Sequence, residues 1–281
     1  MADSGSDITP EALVGLWRRD RIEFSDGRVD ATTQVFWGQT RSLYIDIRIP
    51  VRAAALAPKP LLADYAKDEH LALAEQKGFA GHIRLAGNRC EWVRLIDYQP
   101  ATGRPDVGEI RLDGDILYEQ GDPGSVLASA YSETFKRISR GSLVCAALQL
   151  IRTQGSTIRG LSNPGCILLM LDDWFLFAEP RAQPLPPASN LAQLVAEAPH
   201  GLACSYLDCE YSFGHIRHAS CPWQIELSTL PSRVRQRLLP AATAARHGEQ
   251  ELSIDLTGGA LSWRIIESNL PPAELASLFL L

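Results

Sequence analysis

The tetrapeptide Gly81-His82-Ile83-Arg84 returns as Gly214-His215-Ile216-Arg217. Each copy is followed by a Cys-x-Trp, after five residues at Cys90-Glu91-Trp92 and after three at Cys221-Pro222-Trp223. Upstream, the run Leu43-Tyr44-Ile45-Asp46-Ile47-Arg48-Ile49-Pro50 has a counterpart in Asp173-Trp174-Phe175-Leu176-Phe177-Ala178-Glu179-Pro180. Both runs lead into a Pro- and Ala-rich, helix-compatible connector, 53–76 and 181–198. Landmarks repeated in one order point to an internal duplication, and two large copies mean tandem domains, not a solenoid. A chain of 281 residues accommodates this, because copies of about 130 residues each can bury an ordinary core. The expected division is a flexible N-terminal tail over 1–10, a first domain over 11–137 and a second over 138–281.

Within the first copy the pattern is one of short strands. Thr9 suits a helix cap and Pro10 a first helical position, before Gly15 ends that turn. The segment 16–24 is a candidate strand, Asp26-Gly27 a hairpin turn, and 32–39 a second strand rich in Thr, Val, Phe and Trp. Over 43–49, Ile45, Ile47 and Ile49 alternate with Tyr44, Asp46 and Arg48, the period of two of a strand with two unlike faces. After the helical connector, strands are predicted over 79–85, 89–98, 108–111, 116–120 and 131–138. Strands so closely spaced, with one helical insertion after the third, predict an antiparallel barrel; a parallel sheet would need a helix between most strands.

The second half repeats the plan. The segments 143–151 and 166–171 are continuous apolar runs, which predicts a barrel or a contact buried on both faces. The segment 231–247 reads as a helical interlude before final strands over 250–256 and 261–267. The fold class is therefore all-β with minor helices: two tandem lipocalin-like antiparallel β-barrels related by internal duplication. The order of features (meander strands, a Tyr-x-Asp strand ending in Pro, a helical connector, and the late strand Gly259-Ala260-Leu261-Ser262-Trp263) resembles the fungal Hri-type proteins. Those are two-barrel proteins of the calycin, or lipocalin-like, kind. The resemblance implies a pair of similar barrels and supplies no catalytic residues.

The net charge of −6 lacks the basic excess that phosphate neutralisation requires, so nucleic acid is not an expected partner. The polar N-terminus has no signal-peptide pattern, and the apolar run 166–171 is far too short to span a bilayer. A soluble, cytoplasmic protein with reduced cysteines is expected, with no membrane partner.

Two orientations are open for the strand over 43–49. If the isoleucines form the core of their own barrel, Tyr44, Asp46 and Arg48 face solvent, which is the favoured reading of an ordinary amphipathic strand. If the isoleucines instead face a helix or the other barrel, the polar residues point into the lumen, joined by Trp37 and Gln39, and can hydrogen-bond a ligand. His82 and His215, at equivalent places, read first as structural residues inherited by both copies; the sharper reading is a general base or haem ligand, but no partner residue is recognisable. Trp92 and Trp223 read as core anchors. Cys204, Cys209, His215, His218 and Cys221 have a metal-like density, but His215 and His218 would lie on opposite faces of a strand, so packed, reduced cysteines are expected. No phosphate loop, nucleophile elbow or zinc-protease helix is present.

The expected function is that of a binding protein holding a small apolar or amphipathic ligand, through Trp37, Gln39, Tyr44, Asp46, Arg48, His82 and Trp92. No catalytic residue, metal or cofactor is assigned. A protein-interaction module with side-chain-filled barrels and a protein partner is the alternative, and an isomerase or hydrolase the third reading. Oligomeric state is not legible in the sequence.

Overall fold

A computed structural model describes residues 8–122, 124–125, 130–155, 165–219 and 221–281; the start of the predicted tail, 1–7, lies outside them. The first sheet is built from β1 (Gly15–Phe24), β2 (Val29–Asp30), β3 (Gln34–Gln39), β4 (Tyr44–Ile49), β5 (Lys77–Ala86), β6 (Arg89–Asp97), β7 (Val107–Asp113), β8 (Ile116–Gly121) and β9 (Tyr131–Ser139). Its strands pair in the order β2-β1-β3-β4-β5-β6-β7-β8-β9, and β1 pairs again with β9. Since β2 is a two-residue stub on β1, eight strands form a closed, up-and-down barrel. Closure removes the unpaired edges that an open antiparallel sheet would leave. A short helix, α1 (Pro10–Leu13), capped by Thr9 as predicted, puts Leu13 into the floor of this barrel, where the Trp17 indole donates to the Leu13 carbonyl at 2.9 Å.

The second sheet holds β10 (Cys145–Gly155), β11 (Ile167–Leu171), β12 (Trp174–Glu179), β13 (Glu210–His215), β14 (Gln224–Ser228), β15 (Ala242–His247), β16 (Glu251–Leu256) and β17 (Gly259–Ser268), in the order β14-β13-β12-β11-β10-β17-β16-β15. The gap between β14 and β15 is lined by residues 235–238: Gln224 bridges to Arg237, and the Leu238 N–H donates to the Trp223 carbonyl at 2.8 Å. This corrects the helix predicted over 231–247. Only Pro231–Arg233 forms a 3-10 turn, and Ala242–His247 is a strand. A helix there would satisfy its own backbone but leave the facing edges of β14 and β16 unpaired.

In both sheets the third strand, β4 or β12, leads into helices before the fourth. These are α2 (Val51–Ala54) and α3 (Lys67–Ala74) in the first half, and α4 (Leu191–Glu197) and α5 (His200–Leu207) in the second. The repeated tetrapeptide occupies the same place in each. A β-bulge falls between Ala80 and Gly81 on β5, and another between Phe213 and Gly214 on β13. A Cβ on Gly81 would sit 1.9 Å from the Val93 carbonyl oxygen, and one on Gly214 would sit 2.0 Å from that of Gln224. Neither obstacle is a mobile side-chain end, so only glycine lets the neighbouring strand approach. Ile83 faces Trp92 across β6, and the Trp223 N–H donates to the Ile216 carbonyl at 2.9 Å. Gly81→Ala and Gly214→Ala are accordingly expected to cost similar amounts, about 1–3 kcal/mol each or somewhat more, in urea denaturation. A large loss at one site with none at the other would show that the two bulges are not equivalent.

Three apolar cores result. One fills the floor of the first barrel, one fills the second barrel, and the largest lies between the two. In the last, Ile45, Ile47 and Ile49 of β4 meet Leu176 and Ala178 of β12 and Tyr211 and Phe213 of β13. Glycines permit the close approach: a Cβ on Gly38 would meet Leu176 at 2.5 Å, and one on Gly78 would meet the Tyr211 ring at 2.5 Å. Phe36 stacks on Phe213 with ring centroids 4.1 Å apart. The favoured reading of the isoleucines as the core of their own barrel is thus overturned: they point outward, into the other barrel, and Tyr44, Asp46 and Arg48 point into the lumen. Polar bonds pin the same junction. Arg181 donates to the carbonyls of Asp97 and Tyr98, Gln76 donates to that of Thr229, and Glu267 accepts from the backbone of Arg41 and Ser42. No helix among the described residues is long and apolar enough to cross a membrane, and the six cysteines form no disulfide among them.

Candidate functional site

The inward faces of the first barrel enclose a cavity of about 440 Å³. Inward residues follow from the register. Arg48 is opposite Lys77, Asp46 is opposite Phe79 and Trp37, and Tyr44 is opposite Gly81, so alternate residues of β3, β4 and β5 descend from mouth to floor in tiers. β6 adds Trp92 and Arg94, β8 adds Glu119, and β9 adds Tyr131 and Phe135. The mouth is rimmed by Ala74 and Glu75 at the end of α3, by Gln99, Pro100 and Thr102, and by Ser189, Asn190 and Ala192 from the start of α4. The second half therefore supplies part of the entrance to the first. Gln99 fastens the three rim segments: its Oε1 accepts from the Leu191 N–H at 2.9 Å, and its Nε2 donates to the carbonyls of Ala74 at 3.0 Å and Gln76 at 2.6 Å.

The aromatic floor is packed, with the Trp37 indole edge-on to Trp92 and to Phe135. Above it lies a buried charge network. Arg48 donates to both oxygens of Asp46, at 2.8 and 3.1 Å, and to Glu133 at 2.8 Å. Glu133 also accepts from Arg19 at 2.7 Å, which reaches Asp30 at 2.9 Å. Arg94 pairs with Asp97 and Asp106, and its guanidinium lies 3.6 Å from the Phe79 ring centroid, while that of Arg48 lies 5.5 Å from it. Burial raises the Asp46 carboxyl above the ordinary range, opposed by the Arg48 charge. Burial also drives Glu119 well above it, with the Glu133 charge acting in the same direction, and Glu119 accepts the Tyr131 hydroxyl at 2.7 Å. Desolvation lowers the Lys77 ammonium, and the nearby Arg48 charge adds to that effect.

The raised Glu119 has a stability consequence with a definite sign. The folded protein keeps its proton where the unfolded chain has lost it, so the contribution is full in acid and is lost as pH rises from the ordinary carboxylate range toward the folded value. Glu119→Gln, a neutral mimic, should match the wild type below pH ~4 and gain on it by up to about 1.4 kcal/mol per pH unit above that. Denaturation series at several pH values measure this; an unchanged difference across pH would show that Glu119 ionises normally.

Of the residues singled out in the sequence, Trp37, Tyr44, Asp46, Arg48 and Trp92 line the cavity together. Gln39 does not: it is fully buried at the end of β3, where its Nε2 donates to the Thr40 carbonyl. His82 does not line it either, lying half-buried on the face of β5 opposite Ile83. The His215 ring packs tilted against Trp174, with centroids 3.6 Å apart, and lies 3.3 Å from both Asp173 and Glu226. Cys209 bonds to the Glu179 carbonyl, Cys204 lies on α5, and no group of three metal-ligating side chains is gathered among the described residues. Sequence reading missed Lys77, Phe79, Arg94, Glu119 and Tyr131. Glu119 was within reach, because it continues the inward alternation of Leu117 on β8.

The second barrel has no counterpart to this cavity among the described residues. Phe175 faces Gly214 where Tyr44 faces Gly81, so Phe177 stands where the first barrel has Asp46. Helix α6 (Pro272–Ser277) and the turn after it push Leu275, Leu278 and Phe279 into the interior, where Trp223 stacks on Phe279 at 5.2 Å and donates to the Leu278 carbonyl.

No protein-family model and no curated protein matches the chain. Among solved structures, an uncharacterised protein of Saccharomyces cerevisiae, YLR301w, aligns over 91% of this chain and 98% of its own, with a TM-score of 0.54 at 10% identity. A lipocalin-like protein from Bacteroides uniformis aligns over 45% of this chain and 98% of its own, with a TM-score of 0.29 at 15% identity. A designed fluorescence-activating β-barrel aligns over 44% and 93%, with a TM-score of 0.24 at 15% identity. The molecule is an all-β protein built on a closed, eight-stranded up-and-down barrel, and it shares its fold over nearly its whole length with the yeast protein.

Proposed function

We propose that this chain is a non-enzymatic binding protein whose first barrel holds one small amphipathic ligand, while the second barrel serves as a scaffold. The observation that carries this is the contrast between two barrels of like topology: one is plugged with apolar side chains, and the other keeps a cavity of about 440 Å³ walled by aromatic rings and ordered charges. Such a volume and such a lining suit a small molecule. An ordered buried charge network in a hollow barrel also fixes which polar groups a ligand must present. The alternative of a protein-interaction module suits the second half better than the first, because its interior is full. We extend the proposal to an internal duplication dividing the chain into 11–137 and 138–281, to kinship with the fungal Hri-type proteins, and to a cytoplasmic working place.

Native mass spectrometry of the full chain, purified from its own cells, tests the binding reading. A bound mass of a few hundred daltons is expected, and it should be lost when Ala192→Trp obstructs the mouth. A chain that carries nothing and binds no small amphipathic compound in titration would refute the reading.

A further inference from the structure

We propose that the ligand of the first barrel is an organic carboxylic acid, with its anionic head at Lys77 and its aromatic or apolar body lying toward the floor. This rests on the binding reading above and adds the chemical class. Lys77 lines the cavity one tier above Phe79, beside Arg48 at the mouth. Arg48 and Arg94, the arginines that line the cavity with it, are each held by carboxylates of the protein at 3.2 Å or less. Lys77 has no carboxylate within 4.0 Å among the described residues, so its ammonium is the cation the network leaves over.

Two further donors deeper in the lumen also lack acceptors. The Trp37 indole N–H and the Tyr44 hydroxyl are buried, line the same cavity and have no hydrogen-bond partner among the described residues. A buried cation without a partner is costly, and an anion whose head enters at Lys77 removes that cost; the Trp37 and Tyr44 donors lie in the tiers below, beside the body. Burial raises the Glu119 carboxyl well above the ordinary range, which disfavours a competing negative charge on that wall. Toward the floor, Trp92 and Phe135 offer ring faces and edges to an apolar body. An amine would meet the Lys77 ammonium while Asp46 and Asp106 are already held by Arg48 and Arg94, and a neutral alcohol would leave the Lys77 charge uncompensated.

Calorimetric titration of the full chain with naphthoate and with naphthylmethanol, which differ in the head alone, tests the assignment. The wild type should bind naphthoate between about tenfold and a hundredfold tighter than the alcohol, the range of a hydrogen-bonded charge pair. Lys77→Met should bring naphthoate down to the affinity of the alcohol while the alcohol's own affinity holds, which also reports a folded barrel. Lys77→Arg should restore most of the preference. Equal affinities in the wild type, or a preference that survives Lys77→Met, overturn the assignment and leave the binding reading standing. Binding of neither compound overturns the assignment, and overturns the binding reading as well when the chain also carries no bound mass from its own cells.

Discussion

Arg48→Met is expected to destabilise the protein by about 3–5 kcal/mol, as removal of one member of a buried ion pair does elsewhere. Arg48 is the cation for two carboxylates at once, Asp46 and Glu133, and both are buried. Glu133 retains Arg19, whereas Asp46 has no other ion-pair partner among the described residues. Burial alone already raises the Asp46 carboxyl, and loss of the Arg48 charge raises it further. The variant's deficit should therefore be greatest near neutral pH, where the unfolded chain ionises Asp46 freely. It should shrink below the ordinary carboxylate range, where both states hold the proton. Asp46→Asn in the Arg48→Met background should recover much of the loss, and a double-mutant cycle by urea denaturation reads the coupling. Additive losses would mean that the two side chains act independently.

Ile47→Glu should be of similar severity, roughly 3–6 kcal/mol, summing the lost apolar burial and an unsatisfied carboxyl. Ile47 is fully buried, but outside its own barrel, against the face of the second. The signature of this variant should therefore differ from that of Arg48→Met: the two barrels part before either unfolds, so limited proteolysis cuts the 139–144 connection early. In the wild type that connection is held by Asp172, whose carboxylate accepts from the backbone N–H groups of Gly141, Leu143 and Val144. A strand with one solvated face would tolerate a charge at Arg48 and not at Ile47. In β4 both faces are buried, so Arg48→Glu should be damaging as well, by placing a third carboxylate beside Asp46 and Glu133.

Much of the fold was legible because it is local. Alternation marked β4, Asp26-Gly27 marked the first hairpin, and the Pro- and Ala-rich connectors marked where helices follow the third strand of each sheet. The repeated tetrapeptide was legible because the bulge at Gly81 and at Gly214 admits no Cβ. Less of the site could be read. Trp37, Tyr44, Asp46, Arg48 and Trp92 belong to it, whereas Gln39 is drawn to the β3–β4 turn and His82 to the outer face. Lys77 and Arg94 look like ordinary surface cations in a linear sequence.

The amino-acid order by itself determined the period of two, the turns and the matching plan of the two halves, because these depend on residues near one another along the chain. It could not decide which face of β4 was the inside. A period of two separates two faces without labelling them, and the apolar face was claimed by a second barrel distant in the chain. Pairing with β14 and β16 likewise overrode the helical look of 231–247, because a barrel wall needs its edges bonded. That one barrel is hollow and the other filled was also decided in three dimensions, by α6 and Phe279 entering the second and by carboxylates and arginines meeting across the lumen of the first.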